Sequence, residues 1–291
     1  MAKNYKIKAY SLIEISVVIV VVGILIAGVS RGIDLFLETK LAIARNLTTS
    51  SRVGRISDLE LWLDSISLKS FYKQPNHGDL ISKWKDINPT SLYKLEAFQD
   101  NSLYQPSYNY NSINGLPTLK FDDDCFRLDL DITFNLKPNL TIFAVFKVND
   151  KSSNAYNPLF GNDNGGWDNF FLILHNGFDK ISVSNGANFQ IINFNTEKNM
   201  PYMLKYISQH SKTNGSSISY NQKLITSFTQ NFTSNQNSYI NIGSDGNGSK
   251  GGCDNLSKFD LGEFIIYDRV LLNTEISEIE EYLKKKWQIK I

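Results

Sequence analysis

What this sequence most plainly lacks is an excess of charge of either sign: 30 lysines and arginines stand against 29 aspartates and glutamates, a net charge of +1. A nucleic-acid backbone is held mainly by cations that displace its counterions, so nucleic acid is disfavoured as a partner. Histidine is scarce too. His77, His175 and His210 stand alone, with no second His or Cys at ligand spacing, and a zinc site is unsupported. Only two cysteines occur, Cys125 and Cys253. Outside the cytoplasm they would close a loop of about 130 residues, a bridge worth about 4–5 kcal/mol through the entropy of the unfolded chain. Two separate buried thiols are the other reading.

Charge is also nearly missing from one long stretch. Tyr10 to Val29 is apolar apart from Ser11, Glu14 and Ser16, and about 20 residues at 1.5 Å each span a bilayer core. Lys3, Lys6 and Lys8 precede it and hold the N-terminus on the cytoplasmic side, so the body of the chain belongs on the far side. Glu14 is the exception. A carboxylate in hydrocarbon costs roughly 2.5–3.5 kcal/mol on insertion scales and needs a partner. A secretory signal leaving at Gly28-Val29-Ser30 gives it none, and neither does a plain signal anchor.

KAYSLIE, residues 8 to 14, resembles the cleavage and methylation motif of the type IV pilin and type II secretion pseudopilin family. There a short basic leader ends in a small residue, an aromatic follows, and a Glu stands four residues after it. Here those positions are Ala9, Tyr10 and Glu14, where the family more often has Gly and Phe at the first two. The resemblance implies a cut after Ala9 by a prepilin peptidase and N-methylation of the new Tyr10 amine by the same enzyme. It further implies assembly in which Glu14 of one subunit meets the Tyr10 amine of another. Residues four apart share a helix face about 6 Å along the axis, so a stagger of about one turn brings the two together. The implied partners are the peptidase/methyltransferase, other pilin or pseudopilin subunits and the inner-membrane assembly machinery. The implied place is a bacterial inner membrane, crossed once, with the head in the periplasm or outside the cell. The alternative is a membrane-anchored, carbohydrate-binding surface protein that does not polymerise.

Ile33, Leu37, Leu41, Ala44 and Leu47 recur at steps of three and four, so an amphipathic helix continues to about residue 50. From Leu59 the texture changes to short β-branched and aromatic runs between Asn, Gly, Asp and Ser clusters, as in an all-β sandwich. Strands are expected at 59–64, 118–122, 140–148, 170–174, 180–184, 189–194, 202–207, 217–220, 239–243 and 262–268, with a hairpin turn at 220–223. LNTEISEIEEYLKKKW predicts a closing helix capped by Asn273 or Thr274, with Ile276, Ile279, Leu283 and Trp287 as its buried stripe and its lysines at the negative end. The fold class is therefore mainly β: a long, partly transmembrane N-terminal helix, an antiparallel β-sandwich and a C-terminal helix. The divisions are a leader at 1–9, a membrane and spine helix at 10–57, and the sandwich at 58–291.

LWLD at 61–64, WKD at 84–86, NGLPTLKFD at 114–122, TIFAVFK at 141–147 and GEFIIYDRVLLNTEISEIEEYLKKKW at 262–287 resemble concanavalin A-like, laminin-G-like lectin/glucanase jelly rolls. INPT at 87–90 and Asp122-Asp123-Asp124-Cys125 depart from the usual turns. In this architecture the FD and IIYD strands are usually neighbours, which favours a Cys125–Cys253 bridge. Calcium in the jelly-roll manner has candidates in Asp122, Asp123, Asp124 and Asp163; a solvated acidic turn is the bland alternative.

Catalytic chemistry finds little footing. Asp129 and Asp131 share a strand face, yet no Glu accompanies them as a hydrolase pair would need. Asp245 to Ser249 begins like a calcium loop, but Lys250 and Leu256 stand where Gly and a bidentate Glu are required. Gly246 to Gly251 matches G-x-G-x-x-G without opening a helix. The chain is accordingly expected to be non-enzymatic and to need no cofactor. The remaining activity is glycan recognition through the loop from Gly161 to Asn169, where Asp163, Asn164, Trp167 and Asp168 combine polar tips with an aromatic face.

Overall fold

The computed structural model describes residues 11–129, 139–152, 156–163, 166, 169–186, 188–232, 239–246 and 253–291. Ala9, Tyr10, Asp131, Asn164, Trp167 and Asp168 lie outside them. Cα packing divides the chain into Met1–Ala42 and Ile43–Ile291.

Helix α1 runs from Leu12 to Ser50. It opens on a capping box: the Ile13 amide donates to Ser11 Oγ at 3.2 Å, and the Ser11 amide donates to Glu14 Oε2 at 2.8 Å. Glu14 thus has a local partner that a reading of the apolar run as a bare span does not anticipate. The helix is long and apolar enough to cross a membrane, a test that a signal sequence also passes. Side chains such as Ile13 and Ile24 are 73% and 67% exposed. Among the described residues none of the helix up to Gly32 is buried, an apolar surface of the kind that calls for a partner or a lipid medium.

Ile43–Ile291 begins with the last turns of α1. The sequence places the boundary at 57/58, but Ala44 and Thr48 are already buried and Arg45 Nε donates to Ile66 O at 2.9 Å. A 3-10 turn at Val53–Arg55 follows. Sixteen strands come next among the described residues. They are β1 (Leu59–Asp64), β2 (Lys83–Lys85), β3 (Glu96–Phe98), β4 (Ser107–Ile113), β5 (Leu116–Asp124), β6 (Phe126–Asp129), β7 (Leu140–Val148) and β8 (Tyr156–Gly161), then β9 (Phe171–His175), β10 (Lys180–Ser184), β11 (Phe189–Asn193), β12 (Pro201–Ser208), β13 (Ser216–Tyr220), β14 (Lys223–Phe228), β15 (Tyr239–Ile242) and β16 (Ser257–Tyr267). Helix α2 (Asn273–Trp287) closes the chain.

The strands form two antiparallel sheets. One has the order β14-β13-β12-β7-β16-β5-β4, with β1 also on β16; the other has the order β11-β10-β9-β8-β15-β6-β3-β2. Alternate residues of each point into one shared core. Phe121, Phe146 and Tyr206 meet Phe126, Phe160 and Leu172 there, with Phe160 edge-on to Tyr206 at 5.4 Å. Such burial is worth about 1.5–3 kcal/mol per large side chain and is the main force holding the layers together. Tyr220 and Lys223 pair across a two-residue turn in which Asn221 (φ 48°) and Gln222 (φ 66°) are left-handed, the backbone that matches strand twist.

Helix α2 differs from its expected form at its start, while its last turn holds the expected lysines. Leu272, not Asn273 or Thr274, is the N-cap; its amide donates to Glu275, which Arg269 clamps at 2.7 and 2.8 Å. At the other end Lys286 is buried. Its Nζ lies 2.7 Å from Glu263 and 2.8 Å from Asp64, all three side chains fully buried. Glu263 also accepts from Trp62 Nε1, Trp287 Nε1 and the Tyr282 hydroxyl, each at 2.7 Å, and Asp64 accepts from Thr48 Oγ1 at 2.9 Å. One polar knot therefore ties the end of α1 and helix α2 to β1 and β16.

Candidate functional site

Three loops meet beside the second sheet: the β8–β9 connection from Gly161, the segment Gly243–Gly246 after β15, and Asp254–Asn255 ahead of β16. They close on each other through the main chain. The Asp163 amide donates to Asp245 O at 2.8 Å, the Asn162 amide to Phe170 O at 3.1 Å, and Asn169 Nδ2 to Asn162 O at 2.8 Å. Two glycines permit the approach. A Cβ on Gly161 would lie 2.5 Å from Asp245 O, and one on Gly246, whose φ is +101°, would lie 3.1 Å from the Asp163 amide nitrogen.

Buried oxygen chemistry collects at this junction. Asp163 and Asp245 are only 2% and 1% exposed. Asn255 Nδ2 donates to Asp245 Oδ2 at 2.6 Å, whereas Asp245 Oδ1 is buried without a hydrogen-bond partner among the described residues. Burial pushes the Asp245 carboxyl up to about 7; the Asn255 bond opposes the rise, and the nearby charges of Asp254 and Asp163 add to it. Alongside stands Tyr239, whose hydroxyl donates to Gly246 O at 3.0 Å and whose ring carries the Arg127 guanidinium 4.6 Å from its centroid. Arg127 pairs with Asp129 at 2.5 Å. Oxygen acceptors, an aromatic ring and a cation thus stand together at this junction, the kinds of group that bind hydroxyls and sugar rings.

The residues singled out by sequence fall differently into place. Asp163 sits in the cluster. Asp122 and Asp123 are engaged by lysines instead: Lys258 Nζ lies 2.9 and 3.1 Å from them and Lys120 Nζ 2.8 Å from Asp122. Asp124 turns inward, accepts from the Asp122 amide at 2.8 Å, and is pushed up to about 7 by burial. Among the described residues no group of three or more His, Cys, Asp and Glu side chains is placed to hold a metal ion. His175 Nε2 is 2.7 Å from Ser182 Oγ, His210 Nδ1 accepts from the Phe232 amide, and His77 packs edge-on to Tyr110. Cys125 and Cys253 form a disulfide with Cα atoms 6.0 Å apart, so the segment leading to Asp254 is fastened to the β5–β6 junction.

Sequence reasoning missed Asp245, Tyr239 and Arg127. Asp245 was met only as the start of a failed calcium loop. Tyr239 and Asn241, and likewise Arg127 and Asp129, alternate on one strand face, which was the available signal.

No family model and no curated protein sequence matches this chain. Its fold is similar to several solved structures. A Trypanosoma rangeli sialidase in complex with sialic acid aligns at TM-score 0.53 and 15% identity over 81% of this chain and 34% of the sialidase. Botulinum neurotoxin type C, whose cell entry depends on interaction with two ganglioside molecules, aligns at 0.52 and 15% over 80% of this chain and 52% of that one. The binding domain of botulinum neurotoxin serotype D aligns at 0.51 and 13%, over 77% and 51%. The chain thus spans a third to a half of the length of these proteins, and at such identity the likeness concerns the fold. It nevertheless corrects the expectation of a non-enzymatic chain: sialidases are enzymes, so this architecture is found in catalysts and in binding domains alike, and the fold gives no ground for setting catalysis aside.

Proposed function

We propose that the Ile43–Ile291 head recognises carbohydrate at the loop cluster, and that the chain is a pilin-like or pseudopilin-like subunit displaying this head from a membrane-spanning helix. The observation that carries the first part is the convergence of buried Asp163 and Asp245 beside the Tyr239 ring and Arg127. Sugar hydroxyls donate well to such oxygens, and a pyranose face rests well on an aromatic ring. The similarity of fold to a sialidase solved with sialic acid and to a neurotoxin that needs gangliosides supports carbohydrate as the ligand class. Asn164, Trp167 and Asp168 belong to the same loop in sequence and extend the polar and aromatic character of Asp163.

A glycan array probed with the full-length chain in detergent micelles tests this. Selective hits that disappear with Asp163→Ala or Trp167→Ala are expected; an array without hits refutes it.

The assembly part rests on KAYSLIE, with Ala9 at the cut, Tyr10 as the methylated residue and Glu14 as the charge that neutralises a neighbour's amine. The mass of the mature N-terminus tests it: loss of residues 1–9 with a methyl group on Tyr10 is expected, and an intact leader rejects it. One observation favours a second reading, a membrane-anchored head that does not polymerise: Glu14 already accepts a hydrogen bond from its own chain, at Ser11. Glu14→Gln separates the two. The amide keeps an acceptor for Ser11 but no charge, so loss of co-assembly with other subunits favours the filament and unchanged incorporation favours the anchor.

A further inference from the structure

A hollow of about 450 Å³ opens where the end of α1, the loop after β1 and the loop after β2 meet. That size suits a small ligand. Its wall depends on Gly54: a Cβ there would lie 2.5 and 2.8 Å from the Pro89 ring, so only glycine lets the exit of α1 lie against that proline. Trp62 and Ile87 join Pro89 as the apolar part of the lining.

The polar lining has a definite sense. Thr49 Oγ1 donates to Asn46 O at 3.0 Å, Ser51 Oγ to Thr48 O at 2.9 Å, and Thr90 Oγ1 to Asn88 Oδ1 at 2.8 Å. Each of these hydroxyls has its one proton engaged within the protein, which leaves its lone pairs to accept. The Ser67 hydroxyl, which accepts from the Lys69 amide, keeps its proton to give, and the charged donors are two cations. Arg55 and Lys69 are exposed and line the hollow, no carboxylate lines it, and neither cation forms an ion pair with a described residue. The frame is rigid. Arg45 fixes the turn that carries Lys69 by donating to Ile66 O, and Asp64, at the root of that turn, is held in the buried knot with Lys286. A rigid frame spares a ligand the cost of ordering its site.

Acceptors on one side, two unpaired cations and an apolar wall specify a ligand with hydroxyl protons to give, a negative group and a carbon face. We infer that this hollow binds an acidic sugar, its hydroxyls donating to Thr49, Ser51 and Thr90 and its anionic group held between Arg55 and Lys69. The site is separate from the Asp163–Asp245 cluster.

Isothermal titration of the full-length chain in detergent micelles against D-glucuronate, D-glucose and inorganic phosphate tests the inference. Glucuronate is expected to bind at least tenfold more tightly than glucose or phosphate. Arg55→Gln and Lys69→Gln, both at exposed positions, should each weaken it severalfold and together at least tenfold, with the melting temperature unchanged. Four outcomes each overturn the inference: no glucuronate binding, equal binding of glucose, equal binding of phosphate, or a folded double variant that binds like the wild type.

Discussion

Replacing Lys286 with methionine probes the knot beneath α2 directly. The ammonium is fully buried between Glu263 at 2.7 Å and Asp64 at 2.8 Å, so its removal leaves two carboxylates in the interior with no cation. Two indole N–H groups and a tyrosine hydroxyl still serve Glu263, and Thr48 still serves Asp64. Those bonds lessen the desolvation penalty without cancelling it. Breaking one side of a buried pair costs about 3–5 kcal/mol, a large part of the roughly 5–15 kcal/mol available to a domain. For a head of this size that lowers the melting temperature by roughly 10–15 °C. Urea unfolding followed by tryptophan fluorescence is the suitable assay, because Trp62 and Trp287 both bond to Glu263 and report on the knot itself. The loss should also depend on pH. Burial raises the Glu263 pKa while Lys286 lowers it, so in the variant Glu263 binds a proton more readily than in the wild type. A raised folded-state pKa means stability that is present in acid and lost as pH rises, so the variant's deficit should shrink towards pH 4–5 and widen towards pH 8. A deficit under about 1 kcal/mol at pH 7, or one independent of pH, refutes the assignment of a charged, paired Lys286.

Three further outcomes follow from the same coordinates. Burial raises the Asp86 pKa from 3.8 to about 6, against the Trp62 and Asn88 amides that donate to its Oδ1; its contribution is full below pH 4 and is lost through pH 6, costing about 3 kcal/mol at pH 8 at 1.4 kcal/mol per pH unit, and Asp86→Asn should flatten that part of a stability–pH curve. Gly246→Ala adds a Cβ 3.1 Å from the Asp163 amide nitrogen at a φ of +101°, so about 1–3 kcal/mol of local strain should abolish glycan-array hits while the fold persists by circular dichroism. Cys125→Ser with Cys253→Ser opens a loop with a sequence separation of 128 and should cost about 2–5 kcal/mol in a denaturant titration, with a wild type treated with reductant matching the variant.

The sandwich was legible where a strand is buried on both faces. LTIFAVFKV at β7 is almost wholly buried and reads as a continuous apolar run, and the two-residue turn at Asn221-Gln222 was marked by its polar pair. Strands β2, β3, β4, β8 and β14 are absent from the sequence expectation. SYNYNSI at β4 shows why: it lies at a sheet edge with several side chains exposed, so its pattern is polar and its strand character comes from pairing with β5. The lysines of α2 stand in its last turn, as LKKKW implies, but Lys286 also follows Tyr282 and Leu283 on the face turned to the sheet, where it meets two acids from β1 and β16. A one-dimensional pattern carries the face but not the partners.

The same reasoning explains why the loop cluster was only partly visible. Its oxygen atoms come from residues 161–163, 239–246 and 254–255, brought together because β8, β15 and β6 are neighbours in one sheet and because Gly161 and Gly246 allow the loops to touch. Asp163 was conspicuous in sequence because glycine and asparagine surround it. Asp245, in a similar setting, opens a run that fails as a calcium loop because Lys250 and Leu256 stand where Gly and Glu are needed. What gives Asp245 its character is not spacing but burial. With 1% of its surface exposed and two more acids nearby, its carboxyl moves up to about 7, so that near neutrality it can donate as well as accept a hydrogen bond. That character exists only once the sheet has set β8, β15 and β6 side by side, which no spacing along the chain records.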